Sequence, residues 1–106
     1  MPKYLFIGTY TQAGAGGVLK EGGSGRARAA KQVVESVGGT LESIYWGFGS
    51  EDFYATVNLP SHAAATAVSL TIGAAGASKG RTVVLMTAED LDAASQLSPT
   101  FRPPGA

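Results

Sequence analysis

Leu41-Glu42-Ser43-Ile44-Tyr45-Trp46-Gly47-Phe48-Gly49-Ser50-Glu51-Asp52-Phe53-Tyr54-Ala55-Thr56-Val57-Asn58-Leu59 is the stretch around which the rest of this chain is organised. Two runs rich in β-branched and aromatic residues flank Phe48-Gly49-Ser50-Glu51-Asp52, where Gly49, Ser50 and Asp52 favour a turn. The pattern predicts a central hairpin, with strands over 40–48 and 53–59. In the second strand Phe53, Ala55, Val57 and Leu59 share one face, and Tyr54, Thr56 and Asn58 share the other.

Upstream of the hairpin, residues 4–11 form a further strand, aromatic and β-branched and too short for a helix between its breakers. Tyr4, Phe6 and Tyr10 lie on one face and Leu5, Ile7 and Thr9 on the other, so both sides of this strand call for cover. Residues 12–25 are crowded with glycine, at Gly14, Gly16, Gly17, Gly22, Gly23 and Gly25. They read as a long mobile connection with at most a turn or two of helix around Val18-Leu19-Lys20-Glu21. From Ser24, a candidate N-cap, Ala27, Ala30, Val34 and Val37 recur at helical spacing until Gly38-Gly39 ends the run.

Downstream, Pro60 stops the second strand and Ser61 caps a helix reaching about residue 73. Its low charge marks a buried helix, since it is shorter than the ~20 apolar residues of a membrane span. Residues 81–86 are a fourth strand. Thr87 then caps a short helix with Glu89 and Asp90 in its first turn and Leu91, Ala94 and Leu97 as an apolar stripe. Residues 98–106, with Pro99, Pro103 and Pro104, form an extended or disordered tail to a single domain over 1–97.

The order β-α-β-β-α-β closes, with right-handed crossovers, into an α+β ferredoxin-like fold: a four-stranded antiparallel sheet with the helices on one face. The other face is then bare. Its large residues would make an apolar patch beyond what a soluble monomer tolerates, and a homodimer that closes two sheets into an α+β barrel removes it. Composition points the same way: charged residues are 15% of the 106 residues, against about 25% on average, so a second subunit is expected to cover part of the surface.

Eight Lys and Arg balance eight Asp and Glu, and no basic stretch interleaves with aromatics, so nucleic acid is not an expected partner. Cysteine is absent, which excludes disulfide and thiol chemistry. The N-terminal residues carry no charged leader followed by a long apolar run, and a soluble, cytoplasmic protein without membrane attachment is the expectation.

Met1-Pro2-Lys3-Tyr4, Tyr10-Thr11-Gln12, Leu19-Lys20-Glu21-Gly22-Gly23, Gly38-Gly39-Thr40-Leu41-Glu42-Ser43, Tyr45-Trp46 and Phe48-Gly49 occur in an order and spacing that resembles the GYD domain family, from Met1 to about Asp92. The resemblance implies a dimeric α+β-barrel architecture and agrees with the fold argued from the residues. The family's namesake Gly-Tyr-Asp turn is similar to Gly49-Ser50-Glu51-Asp52, with Glu51 in the place of the tyrosine. The resemblance implies no reaction, because the family carries no established activity and a fold is not a site.

His62 is the only histidine, so an imidazole base in this chain must be His62, although a solvated first-turn residue is the plainer reading. Neither a metal site nor a cofactor fingerprint is present in the pattern. Tyr10, Tyr45, Trp46, Tyr54 and Asp52 belong to neighbouring strands and are candidates for a cavity of aromatic walls with one carboxylate; core and interface packing is the competing reading. Tyr45 and Trp46 fall on opposite faces, so only part of this group can share a pocket. Gly22 to Arg28 sets Arg26 near a helix start as an anion-binding candidate, with a solvated loop as the alternative.

The expected function is a homo-oligomeric small-molecule-binding or assembly domain without cofactor. The alternative is a cofactor-independent enzyme of isomerase, decarboxylase or monooxygenase type with a site in the barrel and Asp52 or His62 transferring the proton.

Overall fold

Seven elements follow one another in the computed structural model, which describes residues 1–106: β1 (Lys3–Tyr10), α1 (Gln12–Ser36), β2 (Thr40–Trp46), β3 (Phe53–Asn58), α2 (His62–Ala75), β4 (Ser78–Leu85) and α3 (Ala88–Ser95). The strands lie in the order β2-β3-β1-β4, every neighbouring pair antiparallel. This is the ferredoxin-like arrangement. The core is Tyr4, Val34, Val57, Leu59 and Ala65, with Phe6, Val33 and Leu41 packed against it, so α1 and α2 cover one face of the sheet.

A bulge in β2 controls which residues face the helices. Leu41 pairs with Val57 but Ser43 pairs with Thr56, leaving Glu42 as an extra residue. Alternation resets at that point, so Leu41, Ile44 and Trp46 share the helix side while Ser43 and Tyr45 point to the open side. The freed Glu42 reaches Lys3 at the start of β1, and Asn58 Nδ2 donates to the same carboxylate at 3.4 Å.

The hydrogen bond from Lys3 holds the Glu42 carboxyl below the ordinary glutamate range. A carboxylate with a folded pKa under its unfolded value stabilises the fold above the unfolded value, and that contribution is lost as pH falls through the folded one. Thermal denaturation between about pH 5 and pH 3 should therefore show a shallower loss of Tm for Glu42→Gln than for the parent. Equal slopes would remove Glu42 from the acid response.

Three expectations need correction. The glycine-crowded stretch over 12–25 is not a mobile connection but the first half of α1. Thr11 caps it, accepting from Gly14 N, and Gly22, at φ 81° and ψ 169°, breaks the helix into two pieces. The start is held by tertiary contacts: Thr11 N donates to Ala77 O at 3.0 Å and Thr11 Oγ1 to Gly76 O at 2.8 Å. The α2 helix is not buried, since of its residues only Ala65 and Val68 are. Leu70 is 69% exposed. Strand β4 starts at Ser78 rather than 81, because Ser78, Lys79 and Gly80 continue the pairing with Tyr10, Thr9 and Gly8.

The caps at Ser61 and Thr87 form as expected, the second as a full capping box with Asp90. No residue of α3 is buried, so the stripe of Leu91, Ala94 and Leu97 faces outward. After Ser95 no further helix or strand forms. No helix is long and apolar enough to cross a membrane.

Candidate ligand site

Small residues on the facing surfaces of helix and sheet leave a space between them. Ala30 and Val33 of α1 and Val68 and Ile72 of α2 roof a cavity of about 330 Å³ whose floor includes Phe6, Ile44, Ala55 and Phe53. Sixteen of its twenty-one lining residues are hydrophobic, and its volume is at the lower end of small-molecule sites. Phe53 shapes one end. Its ring lies over Gly8, where a Cβ would meet the ring at 2.1 Å, and packs at 5.3 Å on the Tyr10 ring.

Two of the sequence candidates line this cavity, Tyr10 and Arg26. Arg26 follows the Gly22 break in α1. Its Nη1 lies 3.5 Å from Glu21 Oε2, and the Glu21 side chain reaches it by passing over Gly25, where a Cβ would collide with Glu21 Cγ at 2.5 Å. Trp46 stands behind Tyr10 and donates from Nε1 to the Tyr10 hydroxyl at 3.0 Å. Tyr45 and Tyr54 face each other across β2 and β3 on the open side of the sheet, so the aromatic group divides between two surfaces.

Asp52 has a structural task. Its Oδ2 accepts from Tyr10 N at 2.8 Å, its own N donates to Gly8 O at 2.8 Å, and its carbonyl accepts from Gly47 N at 3.0 Å. These bonds fold the hairpin turn onto the end of β1 and fix the backbone that carries Tyr10. His62 sits at the other end of that strand, with Nδ1 2.6 Å from the hydroxyl of buried Tyr4. Asp52 and His62 are thus separated by six residues of β1, a span of roughly 20 Å at strand rise, and neither lines the cavity. No three His, Cys, Asp or Glu side chains converge on a point that could hold a metal ion.

Sequence reasoning did not single out Ser78 or Glu21. Ser78 is directly opposite Tyr10 in the β1–β4 register and lines the cavity, but its strand starts with polar and glycine residues that give no strand signal. Glu21 belongs to the stretch read as a connection.

Glu51 is defined by its partner. Arg81 Nε and Nη2 donate to its two carboxylate oxygens at 3.2 and 3.0 Å, and this fork raises the Arg81 pKa. The pair laces the hairpin to β4, passing Ile7, the direct register partner of Arg81. Ile7 is thereby 5% exposed although it points away from the helices.

A family model described as GYD domain matches residues 4–95. The chain belongs to the GYD family. No curated protein and no solved structure gives a match. The match spans all seven elements apart from Lys3, including the hairpin turn with Glu51.

Proposed function

We propose that this GYD domain is a small-molecule-binding protein that works as a homodimer, with the ligand held between helices and sheet in each protomer. The cavity of about 330 Å³ carries the reading, because an apolar cleft of that size with a few polar side chains is the usual form of a small-molecule site. In this reading the ligand sits on the helix side of the sheet, whereas the sequence reading set the site in the barrel.

Surface area supports the dimer. A monomeric protein of this mass exposes about 5,500 Å², while this chain exposes 7311 Å². The excess of about 1,800 Å² is more than twice the ~800 Å² that a standard interface takes from each partner, and the exposed α3 and the segment after Ser95 share in it. On the open sheet face Leu5 and Val83 pair directly and are half-buried, with Lys3, Lys79 and Arg81 on the same two strands. An enzymatic reading gains no support from Asp52 and His62, which are held apart at opposite ends of β1.

Two measurements test the proposal. Light scattering at micromolar concentration should return twice the 10.8 kDa of the chain; a monodisperse monomer refutes the dimer. Ligand-observed NMR with a fragment set should show saturation transfer to the parent that an Ala30→Phe variant abolishes, since Ala30 lines the cavity. Fragments that bind both proteins alike would place binding elsewhere.

A further inference from the structure

The polar side chains that line the cavity, Tyr10, Ser78, Arg26 and Glu21, are unbalanced in hydrogen-bonding character. Tyr10 and Ser78 are direct partners across β1 and β4, so their side chains leave the same face of the sheet about 5 Å apart at Cβ. The Tyr10 oxygen accepts the Trp46 indole N–H at 3.0 Å. That contact turns its own proton away from the indole and makes it available as a donor. Ser78 adds a second hydroxyl beside it.

Arg26 adds a charge. Its contact with Glu21 is 3.5 Å long, and the two side chains are 38% and 41% exposed. Such a pair is screened and weak, and a guanidinium exchanges it readily for a carboxylate that can engage its planar fork. Two hydroxyls and a guanidinium therefore stand against one displaceable carboxylate, on a wall that is otherwise hydrophobic.

We propose that the cavity takes a small apolar monocarboxylic acid, with its hydrocarbon body between α1, α2 and the sheet and its carboxylate accepting from Arg26 and the Tyr10 hydroxyl. The inference rests on reading the cavity as a ligand site. The volume of about 330 Å³ holds roughly ten water-sized groups at ~30 Å³ each, which sets the ligand at about that number of non-hydrogen atoms. One arginine on an apolar wall matches one negative charge, so a phosphate or a dicarboxylate would bury an uncompensated charge. A cationic ligand would meet Arg26 itself.

The test uses three isosteric probes on the full chain at about pH 7: phenylacetate, 2-phenylethanol and 2-phenylethylamine, titrated by calorimetry with amide chemical shifts reporting the position. Phenylacetate should bind about ten-fold more tightly than the alcohol, the amount of one charge-assisted hydrogen bond, and the amine should be weakest. Arg26→Gln should remove the preference for the acid, bringing acid and alcohol affinities within about two-fold of each other. Glu21→Gln, which deletes the competing carboxylate, should tighten phenylacetate binding, a gain that misfolding cannot produce. Equal affinity for acid and alcohol in the parent, or an acid preference that survives Arg26→Gln, overturns the acid assignment and leaves the ligand site standing. Tighter binding of the amine overturns it in favour of Glu21. Failure of all three probes to shift cavity amides at roughly 10 mM overturns both the acid assignment and the ligand site.

Discussion

Leu59→Ala is expected to lower the unfolding free energy by about 3 kcal/mol, within the 2–5 kcal/mol range of buried leucine truncations. Leu59 is fully buried, at 0% exposure, and belongs to the core with Tyr4, Val34, Val57 and Ala65. The backbone around it cannot easily close the resulting void. Its own N–H is bound to Pro2 O at 3.0 Å, and Gly39 approaches so closely that a Cβ there would lie 2.5 Å from the Leu59 methyl. For a domain of this size the loss corresponds to a fall in Tm of roughly 15 °C. Leu19→Ala, at a side chain 90% exposed, is the control and should stay within about 0.5 kcal/mol. Comparable effects at the two positions in urea denaturation would mean that the core is not centred where these residues place it.

The second large effect is a reversal of sign between two glycines in the same helix. Gly→Ala inside a helix normally stabilises by about 0.5–1 kcal/mol. Gly16→Ala should do so, because nothing lies within 4 Å of its would-be Cβ. Gly14→Ala should instead cost about 2 kcal/mol, since its Cβ would fall 1.8 Å from the carbonyl oxygen of Ala77 and overpacking against backbone costs more than propensity returns. To relieve the clash α1 must move off the α2–β4 connection, which strains the two Thr11 hydrogen bonds to Ala77 and Gly76. Tyr10 and Ser78 adjoin that connection, so the displacement also reaches the cavity. Denaturation curves for both variants decide the matter. Equal gains in stability would mean that the first half of α1 is not docked as described.

Glycine is also where sequence reasoning failed, for the same physical reason. Helix propensity counts each glycine in 12–25 as a loss, and in isolation that stretch would not be helical. What makes it a helix is the Thr11 cap, which is local and was overlooked, together with the close backbone approach that only glycine permits at Gly14, which cannot be seen without knowing that residues 76–77 lie alongside. The β4 start was hidden similarly, because Ser78, Lys79 and Gly80 are in a strand through pairing with Tyr10, Thr9 and Gly8 and not through their own preference.

The candidate site was half legible. Tyr10 and Arg26 were identified from residue type and proximity along the chain, and both line the cavity. Tyr45 and Tyr54 were grouped with Tyr10 from strand adjacency, which was foreseeable, whereas the side of the sheet that each would face was not. The bulge at Glu42 is one inserted residue with no composition signal, yet it decides that Trp46 joins the Tyr10 side and Tyr45 does not. Asp52 was identified as a turn residue and as a candidate acid, and its three hydrogen bonds to the backbone fit the first role.

The amino-acid sequence by itself determined the ferredoxin-like order of elements, the caps at Ser61 and Thr87 and the membership in the GYD family. These depend on periodicity of two or 3.6 residues and on local capping, which a linear pattern contains in full. Only the tertiary structure decided where the cavity lies, that Glu51 in the hairpin turn reaches Arg81, and that Ser78 stands beside Tyr10. Each of these joins residues more than twenty-five positions apart, and what brings them together is the antiparallel register of β1 with its two neighbours.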